Sequence, residues 1–261
     1  SPIALHTDAA NAQHYEVPAA FFERVLGPHL KYSSGLWTED VRTLADAEAA
    51  MLALTVERAD LHDGQRILEL GCGWGSLTLY MAQRFPRACI VAVSNSASQR
   101  AFIERRAGEL GVSNLSVVTA DVSQVRLADL GIFDRVVSVE MFEHMRNYGR
   151  LLARIAEALT DDGRLFVHIF SHARFAYPYE VKDSSDWMAR YFFTGGTMPS
   201  ADLFSHFPED LVVEAQWTVN GQHYARTAEA WLRAMDEQRP AIDAILQEVY
   251  GDTATQDGGG A

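Results

Sequence analysis

A seven-residue stretch, VEMFEHM at positions 139–145, places two carboxylates and an imidazole among large apolar side chains. Charged residues are seldom buried beside Met and Phe unless they are paired. Glu140, Glu143 and His144 stand at i, i+3 and i+4, so a helical turn that begins at Met141 would project all three to one side. Carboxylates attract a cation, and a carboxylate or imidazole within hydrogen-bond reach can accept its proton. In the alternative interpretation, Glu143 caps a helix and His144 is an ordinary buried histidine.

A second pattern lies upstream, where residues 69–75 read ELGCGWG. Gly71, Gly73 and Gly75 follow an apolar stretch and precede a helical pattern. Glycines at such a junction let the backbone approach a ligand closely, because no side chain is in the way. Ligands of open parallel sheets bind beyond the carboxyl ends of the strands. The glycines alone are a weak signal, since a tight strand-to-helix turn that binds nothing has the same pattern.

The composition limits the possible partners. The chain has 35 acidic and 22 basic residues, a formal net charge of -13, which argues against nucleic acid or an anionic membrane surface as the main partner. An acidic protein attracts cations more readily, such as an amine or a sulfonium. Two cysteines are too few for a disulfide framework and fit a reducing compartment. Since we find no apolar run long enough for a membrane span and no secretion signal, we expect a cytoplasmic protein without stable membrane association.

Strands and helices alternate through much of the chain. The pattern predicts strands at 66–70, 89–93, 115–119, 134–139 and 164–170, and helices at 15–30, 44–61, 77–85, 99–110 and 148–159. Strands this apolar must be covered on both faces. The sequence therefore predicts an α/β fold with a mostly parallel central sheet and helices on both faces.

The pattern changes after residue 170. Residues 171–208 are too aromatic for a disordered linker and too long for a tight connection, so we interpret them as a cap over the sheet. Another strand is predicted at 211–219, a helix at 227–250, and a flexible tail at 251–261. The predicted organisation is an N-terminal helical segment at 1–43 that closes the active site, a Rossmann-like core at 44–170, the cap at 171–208, and a last strand and C-terminal helix at 209–250.

The glycine turn also indicates a cofactor. With Glu69 at its start, it has the form E-x-G-x-G-x-G, which resembles the first motif of class I S-adenosylmethionine-dependent methyltransferases. Polar residues follow the next two predicted strands. Ser94 and Asn95 stand where a ribose needs hydrogen-bonding groups, and Gln99 lies in the following helix. The predicted cofactor-binding set on this sheet comprises Glu69, Gly71, Gly73, Gly75, Ser94, Asn95, Gln99, Asp121 and Val122.

The last two of these residues come directly after the third strand. The carboxylate of Asp121 can accept a hydrogen bond from an adenine amino group, and Val122 can pack against the ring. Glu140 comes after the fourth strand in the same way. Polar groups just past three consecutive strands favour S-adenosylmethionine as the ligand of this edge of the sheet.

Longer motifs indicate a family. HYEVPAAFF, KYSSGLW, LELGCGWGSLTLYMA, SVEMFEHMRNYG and RYFFTGGTMPS together resemble the cyclopropane-fatty-acid-synthase-like methyltransferases. Within them the chain looks most like the plant coclaurine-type N-methyltransferases, which methylate the ring nitrogen of tetrahydroisoquinoline alkaloids. The resemblance implies a class I methyltransferase fold, S-adenosylmethionine as methyl donor with S-adenosylhomocysteine as product, and a small-molecule amine as acceptor.

The lipid-modifying members of the family differ from the amine-methylating ones at readable positions. Cyclopropane synthases resemble this chain at Glu143, His168 and Tyr224, which in them hold a bicarbonate ion used as base. They carry Cys where this chain has Ser34 and Gly where it has Glu140. The amine-methylating members have the V-E-M-F-E-H pattern as it stands, so the resemblance favours N-methylation.

An amine acceptor gives VEMFEHM a specific chemistry. A secondary or tertiary amine is mostly protonated at neutral pH, and it must lose the proton before it can displace a methyl group from a sulfonium. We assign Glu143 and His144 as the pair that accepts this proton. Glu140 is assigned to electrostatic contact with the amine or the cofactor, where a carboxylate stabilises the positive charge that moves to nitrogen.

Further candidates each have two interpretations. Glu16 would anchor the ammonium or merely be an acid favoured at a helix start. Tyr32 and Ser33 resemble family residues that touch the methionine carboxylate, but they could also belong to a polar loop. His168 points either to the pocket or into the core, and Tyr224 resembles a substrate-side tyrosine.

The aromatic residues of the cap could wall an aromatic substrate or form ordinary core, and Tyr191 is the one assigned to substrate binding. The set comprises Phe175, Tyr177, Trp187, Tyr191, Phe192 and Phe193.

Two other functions stay open beside N-methylation. One is a carbon methyltransferase or cyclopropane synthase that acts on an alkene or lipid, and the other is a protein that binds the cofactor without catalysis. His and Cys show no metal-ligand spacing, so no metal is predicted. The sequence specifies neither the amine nor the oligomeric state. Family members usually continue past the last helix into further helix and a closing strand; either that part is absent or the sequence is incomplete, and the pocket wall it supplies is in doubt.

Overall fold

The computed structural model describes residues 2–4, 17–182 and 186–251, apart from the side chains of Met188 and Tyr191. The chain forms two compact units. The first comprises Ser1–Glu16 and Leu54–Thr218, and the second comprises Val17–Ala53 and Val219–Ala261. Within the described ranges, no helix is both long enough and apolar enough to cross a membrane.

A parallel sheet forms the centre of the first unit. Its strands are β1 (Arg66–Leu70), β2 (Cys89–Ser94), β3 (Leu115–Thr119), β4 (Phe133–Val139) and β5 (Leu159–His168). They lie in the order β3-β2-β1-β4-β5, and every neighbouring pair is parallel. The prediction of a parallel α/β sheet is confirmed. Because the strands are parallel, their carboxyl ends meet at one edge of the sheet.

The helices follow in chain order. They are α1 (Ala19–Val25), α2 (Leu44–Arg58), α3 (Ser76–Arg84), α4 (Ala97–Leu110), α5 (Tyr148–Ala156), α6 (Trp187–Tyr191), α7 (Gln222–Glu237) and α8 (Arg239–Tyr250). Local sequence sets several of their ends. The hydroxyl of Ser96 accepts a hydrogen bond from the backbone N–H of Gln99 at the start of α4, and Gly111 ends that helix with a left-handed φ of 68°.

Alternate apolar residues of the strands build the core of the first unit. Leu68, Leu70, Val93 and Val136 are fully buried and belong to one cluster with residues of α5, including Leu151. Burial of this apolar surface is the main force that holds the sheet and its helices together. The same packing leaves the carboxyl ends of the strands as the place where polar residues emerge.

The residues interpreted as a cap contain a small hairpin. The strands β6 (Tyr177–Pro178) and β7 (Thr197–Met198) pair antiparallel, and the backbone N–H of Tyr179 donates to the carbonyl of Gly196 at 3.0 Å. The chain between them includes α6 and the aromatic residues Phe192 and Phe193.

The predicted strand at 211–219 is wrong. These residues form irregular chain, and within the described residues no backbone ladder pairs with them. The apolar side chains that suggested a strand are largely exposed, Val212 by 74%. A strand needs a neighbour's backbone groups as well as apolar residues, and this stretch is instead connected by side chains, for example Glu214 to Arg164 at 3.2 Å.

Predicted helix bounds also needed correction. The single helix expected at 227–250 is two helices that meet at Gln238, because Pro240 in the first turn of α8 cannot continue a preceding helix. The first helix is shorter than the predicted 15–30, since Pro18 precedes it and Gly27 and Pro28 follow its last turn. In the same way, α2 ends at Arg58 rather than at residue 61.

The second unit has its own packing. Thr227 is fully buried and its hydroxyl oxygen accepts hydrogen bonds from the backbone N–H of Gly35 at 3.0 Å and the indole N–H of Trp37 at 2.9 Å. Glu48 is also fully buried, and its carboxylate accepts from the backbone N–H groups of Gly27 and His29, each at 2.9 Å. These contacts fix the loop that leads to the KYSSGLW motif.

Candidate active site

A cleft lies at the carboxyl ends of the strands of the first unit. Its volume is about 630 Å³ when the part open to solvent is included. Most of the residues predicted from the glycine turn and the strand ends line it. They are Gly71, Gly73, Ser94, Asn95, Gln99, Asp121 and Val122, and His144 of VEMFEHM lines it as well.

The glycine turn is shaped by positive backbone angles and close contacts. Gly71, Gly73 and Gly75 have φ values of 78°, 52° and 82°, in the region that disfavours other residues. A Cβ at Gly71 would lie 2.6 Å from Cγ of Met141, and a Cβ at Gly75 would lie 2.6 Å from Cγ1 of Ile103. Those two glycines are required by packing.

Gly73 is different, because a Cβ there would meet no atom within 4 Å. It lines the cleft, so any side chain at this position would project into free space that a ligand can use. A cradle of bare backbone at a strand end is what a cofactor with a polar tail requires. The residues present therefore fit S-adenosylmethionine.

Glu69 lies beneath this turn and is not one of the residues that line the cleft. Its carboxyl group is buried and accepts a hydrogen bond from the hydroxyl of Thr78. Burial raises the pKa of Glu69 to about 8, and the Thr78 hydrogen bond opposes this only in part. Its predicted role in cofactor binding stays a prediction, while the structure places it where it supports the turn.

Hydrogen bonds hold the side chains of Ser94 and Asp121 in place at the cleft. The hydroxyl of Ser94 donates to Oε1 of Gln99 at 2.7 Å and accepts from the backbone N–H of Ser96 at 3.0 Å. Asp121 accepts from the backbone N–H of Ser123 at 2.7 Å. Side chains held in this way lose little freedom when a ligand binds.

The VEMFEHM turn places two of its three candidate residues in different environments. Glu140 has a φ of 50°, and Phe142–His144 form one 3₁₀ turn rather than the start of an α-helix. As a result His144 lines the cleft, whereas Glu143 is fully buried. The sequence pattern alone does not distinguish these two environments.

The carboxyl group of Glu143 is only partly satisfied. Its Oε1 accepts from the backbone N–H of Phe170 at 3.1 Å, and its buried Oε2 has no hydrogen-bond partner among the described residues. Burial raises the pKa of Glu143 well above its usual value, and the nearby charge of Glu140 raises it further. A buried acid that is short of a partner, next to a second carboxylate, is a feature of functional sites rather than of ordinary cores.

The other predicted site residues lie elsewhere. His168 ends β5 and its carbonyl accepts from the backbone N–H of Glu140 at 2.7 Å. Tyr32 and Tyr224 belong to the second unit, where their rings lie 5.6 and 6.1 Å from that of Trp231.

In that unit, the hydroxyl of Ser33 is buried and accepts a hydrogen bond from the ammonium group of Lys31. Glu16 and the side chain of Tyr191 lie outside the described residues. The roles assigned to all of these residues stay predictions.

Sequence reasoning missed several residues that line the cleft. Met141 and Met145 flank the 3₁₀ turn, Ala4 comes from the start of the chain, and Thr194 comes from the cap. The two methionines belong to the quoted motif, and their apolar character was the available signal. Among the described residues, no group of His, Cys, Asp and Glu could hold a metal ion.

Comparison with known proteins supplies the family. The family model of mycolic acid cyclopropane synthetase matches residues 5–253. The chain belongs to this family. Together with the relatives described below, this match shows that the chain is an S-adenosylmethionine-dependent methyltransferase. The predicted fold, cofactor class and enzyme class are confirmed.

Two of the similar relatives are plant N-methyltransferases. The chain is 42% identical over 251 residues to (S)-coclaurine N-methyltransferase of Thalictrum flavum subsp. glaucum, and the match covers 95% of this chain and 69% of the relative. It is 39% identical to (S)-coclaurine N-methyltransferase of Papaver somniferum, covering 90% and 67%. The crystal structure of coclaurine N-methyltransferase bound to N-methylheliamine and SAH matches with a TM-score of 0.92 at 38% identity, over 97% of this chain and 73% of that one.

Proposed function

We propose that this methyltransferase transfers the methyl group of S-adenosylmethionine to the nitrogen of a small cyclic or aromatic amine of the tetrahydroisoquinoline type. The observation that carries the proposal is the turn after β4, where a buried acid, Glu143, adjoins a histidine, His144, at the cleft. The identity of 42% to a coclaurine N-methyltransferase supports the same substrate class.

The cofactor would be held at the strand ends. When bound, S-adenosylmethionine supplies a methyl group on a positively charged sulfur. The bare backbone at Gly73 leaves room for its polar tail, and Ser94, Asn95 and Asp121 offer hydrogen-bonding groups along the same cleft. This arrangement would orient the donor, and positioning alone can supply much of the rate of a displacement.

The acidic turn would prepare the acceptor. Glu140 and Glu143 repel each other's negative charge, which is one cause of the raised pKa of Glu143. A bound ammonium supplies a positive charge that favours the ionised carboxylate. His144, at the surface of the cleft, then accepts the proton from the nitrogen, and the carboxylates stabilise the positive charge that returns there during transfer.

A second function is considered because the matching family model is named for cyclopropane synthetases. Such an enzyme would methylate a carbon of an alkene or lipid. Glu140, which stands where the cyclopropane synthases carry Gly, and Ser34, which stands where they carry Cys, favour the amine. A requirement for added bicarbonate would favour the alkene.

A mass-spectrometric methylation assay tests the proposal. The wild type, Glu143→Ala, His144→Ala and the control His206→Ala would each receive S-adenosylmethionine with tetrahydroisoquinolines, simpler secondary amines, or unsaturated lipids. His206 is an exposed histidine paired with Asp202, so its loss controls for removing an imidazole as such. We expect amine products that gain one methyl mass in the wild type and the control only. Lipid products alone, or cofactor binding without any turnover, would overturn the proposal.

A further inference from the structure

We infer that Phe193, in the cap, is a positioning residue that holds the imidazole of His144 in place. The cap would then help to position the turn at residues 140–145, in addition to any contact that it makes with a substrate. The inference concerns catalysis only in so far as the proposed function of His144 is correct, but the contact itself can be tested without a substrate.

Ring packing places Phe193 against His144. The two ring centroids are 5.1 Å apart, and Phe193 is 5% exposed. Its ring also packs against Phe170 at 5.1 Å, Tyr179 at 5.1 Å and Phe192 at 4.8 Å. Because Phe193 is held by three other rings, it is a fixed surface against which an imidazole can be oriented.

The backbone of the cap lies directly on the acidic turn. A Cβ at Gly196 would lie 2.5 Å from the carbonyl oxygen of Glu143, so only glycine allows this approach. The side-chain Nε of Arg146 donates to the carbonyl of Gly195 at 3.0 Å. The N–H of Gly196 donates to the carbonyl of Phe193 at 2.9 Å, which connects the backbone of Phe193 to the same point of contact.

These contacts set the direction of the His144 imidazole, which the backbone of the turn alone does not determine. The backbone N–H of His144 donates to the carbonyl of Met141 at 3.0 Å, which sets the course of the chain. The direction of the imidazole depends on side-chain torsions, and in a packed site neighbouring side chains select among them. A proton acceptor must point at the proton that it takes, so a displaced imidazole would slow transfer with little change in cofactor binding.

The matched pair of variants is Phe193→Leu and Phe204→Leu. Phe204 packs on the same turn through Phe142 and Tyr148, with ring centroids at 5.8 and 6.1 Å. Both variants therefore remove an aromatic ring that packs on or near residues 140–145. Phe193→Leu removes the ring that packs against His144. Phe193→Met, whose unbranched and flexible side chain adapts to irregular gaps, serves if the leucine variant does not fold.

The first measurement is an NMR spectrum of the protein with labelled histidine, in which His144→Ala assigns the His144 signals. A nearby aromatic face shifts imidazole resonances. We expect Phe193→Leu or Phe193→Met to move the His144 signals clearly and Phe204→Leu to leave them nearly in place. Unmoved His144 signals in the Phe193 variants, or equal movement in Phe204→Leu, would overturn the inference whatever the substrate is.

The second measurement separates kcat from KM. With an amine that is turned over, Phe193→Leu should lower kcat about 10- to 100-fold, with the KM for S-adenosylmethionine nearly unchanged, and Phe193→Tyr should restore much of it. A loss confined to the KM for the amine would make Phe193 a substrate contact and overturn the positioning role. If the wild type methylates no amine, the proposed function fails while the NMR result still decides the contact.

Discussion

Two turns of the same unit follow neighbouring strands of one sheet, and they are built in opposite ways. Residues 71–75 after β1 reverse the chain through glycines at φ values of 78°, 52° and 82°. Residues 140–145 after β4 reverse it through Glu140 at φ 50°, a conformation that is strained for a residue with a side chain. The first turn takes its backbone conformation from its own glycines, although two of them also pack against Met141 and Ile103. The second turn needs support from other segments to hold Glu140 in its conformation.

The buried carboxyls repeat this difference. Glu69 is satisfied by Thr78, nine residues ahead in the adjoining helix. Glu143 takes the N–H of Phe170, 27 residues away, and its carbonyl lies under Gly196 of the cap. Glycines suit a turn that a ligand approaches closely, while support from distant segments can bury an acid such as Glu143 next to a residue that lines the cleft, His144.

Replacing the buried titratable residue Glu69 should give the largest change in the free energy of unfolding. Burial raises the pKa of Glu69 from the ordinary 4.5 to about 8. Between those values the folded protein holds a proton that the unfolded chain has released, so the free energy of unfolding is greatest below the lower value and falls as pH rises to the upper one. This loss amounts to at most about 5 kcal/mol.

Glu69→Gln removes the titrating group, so we expect its free energy of unfolding to lack this decline. Denaturation curves of both proteins at several pH values between about 5 and 8 measure the difference. Glu143→Gln should change the slope in the same direction, because burial is the first cause of its raised pKa too. Equal slopes in the wild type and Glu69→Gln would contradict the account of the first turn.

Packing in the glycine turn should give the next largest effect. Gly75→Ala combines a left-handed φ of 82° with a Cβ only 2.6 Å from Ile103, and we expect it to destabilise the protein by about 2–5 kcal/mol. Gly64→Ala is the control, because it has a φ of 90° and no atom within 4 Å. It should cost only the backbone strain of about 1–2 kcal/mol. Equal losses of stability in the two variants would mean that packing against Ile103 does not require glycine at position 75.

A smaller and more selective effect is expected at the cleft. Gly73→Ala and Gly111→Ala have φ values of 52° and 68°, and neither Cβ would meet an atom within 4 Å. Their losses of stability should therefore be similar. Only Gly73 lines the cleft, so only Gly73→Ala should weaken S-adenosylmethionine binding, by about tenfold or more, equivalent to about 1.4 kcal/mol. Calorimetric titration measures the affinity for S-adenosylmethionine. Equal affinities in the two variants would show that the cofactor does not bind at this turn.

The sequence was informative where structure is local. The bounds of β1 and β3 were predicted as observed, because each is a short apolar run between turn residues. Most cofactor candidates line the cleft because they lie at the carboxyl ends of parallel strands or in the turn or helix that follows. The burial of Glu143 was not predictable, because it depends on Phe170 and Gly196. Apolar residues at 211–219 suggested a strand, yet pairing depends on a partner that a local pattern does not reveal.

The central claim is that the turn after β4 removes a proton from an amine. It is tested most directly by kcat/KM for a cyclic secondary amine, measured for the wild type and His144→Ala from neutral pH to above the pKa of the amine. Near neutral pH the substitution should lower kcat/KM about 10²- to 10⁴-fold. The loss should shrink as pH rises, because the solvent then removes the proton that His144 would have accepted. A loss that stays the same across the whole range would contradict the claim and assign His144 a role other than deprotonation.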